Sequence, residues 1–148
     1  INRVLTETGL EARYLEVEIT ESIAMQDIHG TIAVLDELRT MGVHISMDDF
    51  GTGYSSLATL KRFPLHTLKV DQEFVKDLTT SSKDAAVIQA IVTLGHGLDL
   101  DVIAEGVETV EQQEFLRSIG CDAMQGYLFS KPLPAALAAQ RCFNQDLS

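Results

Sequence analysis

The residues with chemical potential in this chain are Glu18, Asp48, Asp49, Lys69, Asp71, Glu105, Glu108 and Gln125. Each stands at or just after the end of a short apolar run, in the contexts Val17-Glu18-Ile19-Thr20-Glu21, Met47-Asp48-Asp49-Phe50-Gly51, Lys69-Val70-Asp71, Ala104-Glu105-Gly106-Val107-Glu108 and Gln125-Gly126. In parallel α/β folds the carboxyl ends of the strands form the rim where ligands bind, so acids far apart in sequence would meet in one cleft. Carboxylates gathered there repel unless protons or cations compensate them. Oxygen donors with an amide and few His or Cys favour Mg²⁺ or Mn²⁺ over zinc. Two such ions clamp a phosphoryl oxygen and lower the pKa of a water that attacks phosphorus in line. A lysine among the acids orients that water or stabilises the charge developing on the phosphoryl group.

The elements that must position these groups are short runs at Tyr14–Thr20, Val43–Met47, Thr67–Val70 and Val102–Ala104, with a weaker one at Ala123–Tyr127. Longer amphipathic segments separate them. Ile32, Leu35, Leu38 and Met41 keep helical spacing, and Gly42 stands where a left-handed residue closes a helix. Ala85, Ile88, Ile91, Val92 and Leu94 form a second such stripe, and Phe115, Leu116 and Ile119 a third. Thr109 followed by Gln112 matches a capping box. The pieces Leu38-Arg39-Thr40-Met41-Gly42-Val43 and Leu116-Arg117-Ser118-Ile119-Gly120-Cys121 echo one another, as a reused helix-glycine-strand unit does. The pattern predicts an α/β fold with a parallel sheet buried on both faces. Five βα units do not close an eight-stranded barrel, so the sheet is either open and doubly wound or continues in about three strands upstream.

At 148 residues with 45% hydrophobic content the chain has the size and composition of one domain. A net charge of −11 argues against binding a nucleic acid polymer through a basic patch. It does not exclude a small phosphodiester, provided cations reverse the local field. No apolar run is long enough to span a bilayer and no signal peptide is visible, which makes a cytoplasmic location the expectation. Cys121 and Cys142 read as free buried thiols, and His29, His44, His66 and His96 as surface or satisfied core positions. Gly51-x-Gly53 lacks the Gly-Lys-Ser/Thr of a triphosphate loop. The opening Ile1-Asn2-Arg3-Val4-Leu5 reads like the tail of a helix already under way.

Five blocks, in order, carry a family resemblance. Leu15-Glu16-Val17-Glu18-Ile19-Thr20-Glu21-Ser22, Asp48-Asp49-Phe50-Gly51-Thr52-Gly53-Tyr54-Ser55-Ser56-Leu57, Leu68-Lys69-Val70-Asp71, Val102-Ile103-Ala104-Glu105-Gly106-Val107-Glu108-Thr109 and Gln125-Gly126-Tyr127-Leu128-Phe129-Ser130-Lys131-Pro132-Leu133 resemble the successive signatures of EAL domains. These are bacterial phosphodiesterases that linearise cyclic di-GMP to pGpG. The resemblance implies a (β/α)8 TIM-type barrel of which about the last five βα units are present, residues 1–148 being the C-terminal portion of a single EAL domain. It implies two Mg²⁺ or Mn²⁺ ions, with Glu18 and Asp48 as ligands, Asp49 bridging or holding the second ion, and Gln125 as the amide at the rim. Lys69 resembles the residue that contacts the attacking water, and Glu105 a ligand or general base. Glu108 resembles a supporting acid. Glu21 resembles the glutamate that anchors the loop Asp49–Ser56, with Gly51, Thr52 and Gly53 in it.

Glu21, Asp71 and Glu108 also have a plain structural reading, as caps or partners of a nearby base. The family's Glu-Ala-Leu segment, its arginine and its asparagine ligand have no counterpart here, so the chain alone is expected to be inactive. The family also implies a homodimer through the barrel and sensory or diguanylate cyclase domains attached upstream, through which the whole protein can be membrane-anchored. Two other functions compete with the enzyme: a receptor that holds cyclic di-GMP without cutting it, and an assembly fragment that pairs through an exposed sheet edge.

Overall fold

The structure, a computed structural model, describes residues 1–53 and 56–145, with side chains to residue 141. Tyr54, Ser55 and the thiol of Cys142 therefore lie outside the described residues. In chain order the elements are helix α1 (Asn2–Thr8), a 3₁₀ turn (Ala12–Tyr14), β1 (Glu16–Thr20), α2 (Glu21–Ala24), α3 (Ile28–Thr40) and β2 (His44–Phe50). There follow α4 (Leu57–Leu60), β3 (Thr67–Val70), α5 (Gln72–Lys76), α6 (Ser82–Gly97), β4 (Asp101–Ala104), α7 (Val110–Ser118), β5 (Ala123–Met124) and α8 (Ala135–Gln145). The strands form one parallel five-stranded sheet in the order β1-β2-β3-β4-β5.

Helix ends follow from local chemistry. Asp27, Ser81 and Thr109 each accept a backbone N–H from the first turn of α3, α6 and α7, and Gln112 completes the capping box on α7. The two echoing segments close alike: Gly42 and Gly120 have φ of 85° and 79°, and the next residue donates back, Val43 to Leu38 O and Cys121 to Leu116 O.

Ile45, Met47, Leu68, Val70, Val102 and Ala104 point into one layer with Leu35 of α3, Ile88, Ile91 and Val92 of α6, and Leu116 of α7. Each such side chain contributes roughly 1.5–3 kcal/mol on burial, against about 1 kcal/mol for a cap, so this layer holds the helices to the sheet.

The helix-side face of the sheet is apolar and the other is polar. The alternate positions on the other face carry Glu16, Glu18, Ser46, Asp48, Thr67 and Lys69, with Ser46, Thr67 and Lys69 buried. Boundaries differ from those of the apolar runs. The first strand starts after a 3₁₀ turn, the second extends through both aspartates, and the last is two residues long.

Candidate active site

The polar face sets the site. Glu18 in β1 pairs in register with Ser46 in β2, which pairs with Thr67 in β3, and Asp48 and Lys69 each stand two residues further along. Strand direction therefore carries Glu18, Asp48 and Lys69 up one wall. Between the pairs Met47–Leu68 and Phe50–Val70, β2 has two residues, Asp48 and Asp49, where β3 has only Lys69. That is a β-bulge, and it sets two acids against one lysine. Asp49 absorbs the bend with φ of 54°, a left-handed conformation uncommon outside glycine.

Lys69 is the hub. Its ammonium lies 2.7 Å from Glu18 Oε1, 2.7 Å from Glu105 Oε1 and 3.4 Å from Asp48 Oδ1. Glu105 reaches it because the backbone N–H of Glu105 continues the β4 ladder to Val70 O. Burial of Lys69 opposes its charge, but the hydrogen bonds it donates to Glu105 and Glu18 and the fields of Glu105 and Asp48 outweigh it and push the pKa up. The side chain therefore stays protonated at neutral pH and cannot serve as a base.

Asp49 behaves in the opposite sense. Desolvation first, then the charges of Asp48 and Asp71, a hydrogen bond with Asp71 and the charge of Glu105 raise its pKa. Asp71 is at the same time the N-cap of α5, accepting from Glu73 N at 2.7 Å. Glu21 is buried at the base of the loop after β2, and its Oε2 accepts from Gly51 N at 3.0 Å and Gly53 N at 3.2 Å. Thr52 closes a turn on Asp49 O through both N–H and hydroxyl.

A cavity of about 670 Å³ elsewhere, between α1 and the start of β1, is lined by Ile1, Val4, Leu5 and Leu10 and by no titratable group. The chemistry assigns the site to the strand ends.

The chain matches the EAL domain model over residues 1–132. It belongs to the EAL domain family. It is 50% identical over 135 residues to the bifunctional diguanylate cyclase/cyclic di-GMP phosphodiesterase MucR of Pseudomonas aeruginosa, covering 91% of this chain and 20% of MucR. The solved PaMucR phosphodiesterase in complex with c-di-GMP superposes with a TM-score of 0.90 at 49% identity, over 93% of this chain and 56% of that one. The manganese/cy-diGMP complex of Klebsiella pneumoniae BlrP1 superposes with a TM-score of 0.82 at 38% identity, over 88% of this chain and 33% of that one. The chain thus spans about a fifth of its curated relative's length. With the EAL fold, the parallel sheet is part of a (β/α)8 TIM-type barrel, five of whose strands are present.

The EAL expectations divide. Glu18, Asp48 and Glu105 converge on Lys69, and Asp49 and Asp71 adjoin them. Gln125 stands at the rim directly after β5, its N–H bonded to Ala104 O, with an exposed side chain. Glu108 does not join the cluster: it is exposed and lines a separate groove with Gln72, Lys76 and Gln112.

Among the described residues no three Asp, Glu, His or Cys side chains stand grouped as a metal shell. The physical reason is Lys69, whose ammonium holds the centre on which the acids close. The donor set itself fits a hard divalent cation. Glu18, Asp48, Asp49 and Glu105 outnumber the one lysine, and Asp48 Oδ1 is buried without a hydrogen bond, its contact to Lys69 being a charge contact only. Ser46 is a site neighbour that inspection for acids missed: its hydroxyl is buried and unpaired beside Glu18. The alternation His44, Ser46, Asp48 was its sequence signal.

Proposed function

We propose that the protein containing this chain hydrolyses cyclic di-GMP to linear pGpG in a reaction that requires a divalent metal. The carrying observation is the convergence on Lys69 of Glu18 from β1, Asp48 from β2 and Glu105 from the turn after β4. Acids assembled at such a cost to one another need a purpose beyond the fold, and cation-assisted phosphoryl chemistry supplies it.

In this reading Glu18, Asp48, Asp49, Glu105 and Gln125 hold two Mg²⁺ or Mn²⁺ ions. When bound, the ions neutralise the phosphoryl oxygens and lower the pKa of water. Glu105 takes the proton of the attacking water, being held close to the reacting centre by Lys69. Lys69, cationic among Glu18, Asp48 and Glu105, orients the water and stabilises the charge gathering on phosphorus. One ester P–O bond breaks in line with the attack, leaving a 5′-phosphate on one guanosine and a 3′-hydroxyl on the other. Glu21 fixes the loop carrying Gly51, Thr52 and Gly53 so that Asp49 stays aimed at the cleft.

The wider reading treats residues 1–148 as the C-terminal portion of a single EAL domain, in a protein that dimerises through its barrel and carries sensory or cyclase domains. The bifunctional relative supports the attached cyclase, and the manganese complex supports the metal. No helix among the described residues is long and apolar enough to cross a membrane.

The test is turnover of cyclic di-GMP by the full-length protein with Mg²⁺ or Mn²⁺, resolved by chromatography. Formation of pGpG that stops in Glu105→Gln and in chelator supports the enzyme. Tight binding without turnover transfers the site to the receptor class.

A further inference from the structure

We infer that Gln112 is a positioning residue: its buried carboxamide ties the end of α5 to the turn after β4 and so holds the Glu105 carboxylate on Lys69. The inference rests on the proposed reaction for its kinetic consequence but not for its geometry.

Gln112 is 5% exposed. Its Oε1 accepts from Glu108 N at 2.7 Å and Thr109 N at 3.0 Å, and its Nε2 donates to Val75 O at 3.1 Å and Lys76 O at 3.3 Å. A carboxamide has two donor hydrogens and two acceptor lone pairs, so its capacity is filled. The capping box on α7 needs only the bond to Thr109. The other three bonds reach outside the box, two of them to a helix more than thirty residues earlier in sequence.

What they join matters. α5 follows β3 directly, so the helix moves with Lys69 and with its own cap, Asp71. The segment from Glu105 to Thr109 follows β4 directly. The two are pressed together at Gly106, where an added Cβ would lie 2.5 Å from Gln72 Cβ, and bonded together at Gln112. Glu105 lies between its ladder bond to Val70 O and this clamp, with its carboxylate 2.7 Å from Lys69. Releasing the clamp lets the Glu105 end of the turn drift from β3. Groups that act in the transition state are the ones that suffer from such drift, so turnover falls before substrate affinity does.

The full-length protein is compared with its Gln112→Met, Gln112→Glu and Thr109→Ala variants. One readout is the rate at which an N-hydroxysuccinimide ester acetylates Lys69 in metal-free buffer, followed by peptide mass. The other is kcat and KM for cyclic di-GMP with Mn²⁺. In Gln112→Met, Lys69 acetylation is expected to rise severalfold, and kcat to fall about tenfold to a hundredfold with KM within about twofold. Gln112→Glu keeps the length and an acceptor but loses the donors to α5, and is expected to fall between. Thr109→Ala removes only the cap: it lowers the melting temperature and leaves both readouts at their starting values.

Wild-type acetylation and kcat in folded Gln112→Met overturn the inference. So does a Thr109→Ala variant that reproduces the losses, since helix stability would then account for them. If Gln112→Met does not fold, Gln112→Glu decides alone: faster acetylation supports the clamp and an unchanged rate overturns it. If the unmodified protein does not turn over cyclic di-GMP, the proposed function fails while the acetylation comparison still decides the clamp.

Discussion

Lys69 of β3 and Glu105, directly after β4, form an ion pair at 2.7 Å inside a wall that also brings Glu18 and Asp48 onto the same ammonium. Lys69→Met removes the cation and leaves the three acids facing one another. Breaking a buried pair from one side costs about 3–5 kcal/mol, but the Glu18 side chain is 49% exposed and water screens part of the repulsion. The expected loss is about 1–3 kcal/mol by denaturant titration. Activity should fall at least about a hundredfold. Mn²⁺ should recover part of the stability by replacing the missing positive charge, and not the activity.

Glu21 anchors two loop amides with one oxygen, and Gly53 leaves the room for it: an added Cβ would lie 2.7 Å from Glu21 Oε1. Glu21→Ala strands the amides of Gly51 and Gly53, at a cost of about 2–3 kcal/mol. Gly53→Ala is expected to release the same loop by pushing the carboxylate away. Both should weaken metal binding measured by calorimetry, because Asp49 lies at the start of the loop they free. Unchanged metal affinity in both would refute the anchoring role.

Glycines in different surroundings should respond with opposite signs. A Cβ on Gly126 would run into the backbone N and carbonyl of Val107, which cannot move aside as a side chain can. Gly126→Ala should destabilise by about 3 kcal/mol or more. Gly97, the last residue of α6, faces open space. Gly97→Ala should be neutral or stabilising by about 0.5 kcal/mol. Thermal melts of the two variants check the contrast.

His66 predicts a pH dependence at the far end of the sheet from the acids. Its Nδ1 accepts from Ile45 N at 3.0 Å and its ring stacks on His44 at 4.3 Å. Burial, then the charges of His44 and Arg39, lower its pKa from 6.5, against a smaller opposing effect of Asp101. Because the unfolded state takes up the proton first, this contribution is complete above the ordinary value of 6.5. It is lost as pH falls below that value towards the folded pKa. Unfolding free energies from about pH 7.5 to 5 should therefore fall less steeply in His66→Asn, which keeps an acceptor and does not titrate. Parallel slopes in the two proteins would refute it.

Much of this was legible from local sequence. Asp27, Ser81 and Thr109 cap helices through bonds that span three residues, and Gly42 and Gly120 close them through equally short ones. The five strands followed from their apolar runs. Glu18 and Lys69 stood out inside their apolar runs, but Ser46 did not, because one serine between apolar neighbours gives no sign that alternate positions form a cleft wall. The bulge was beyond reach, since a left-handed Asp49 is decided by how β2 meets β3. Gln112 was readable as a cap but not as a clamp, for its partners Val75 and Lys76 become neighbours only when the helices pack. Glu108 matched a motif, yet it faces a groove of its own because the turn carrying it leans on α5.

The doubled residue opposite Lys69 has a consequence for how the second strand tolerates change. Ile45 and Met47 enter the helix-side core at even intervals, but the next to do so is Phe50, three positions after Met47. Excising either Asp48 or Asp49 restores simple alternation and leaves Phe50 two positions after Met47, still on the helix side opposite Val70, so a deletion there removes an acid and straightens the strand without opening the hydrophobic layer. A substitution at the same place damages only the cleft. Loss and replacement of an acid there should therefore have the same outcome, a folded but silent protein.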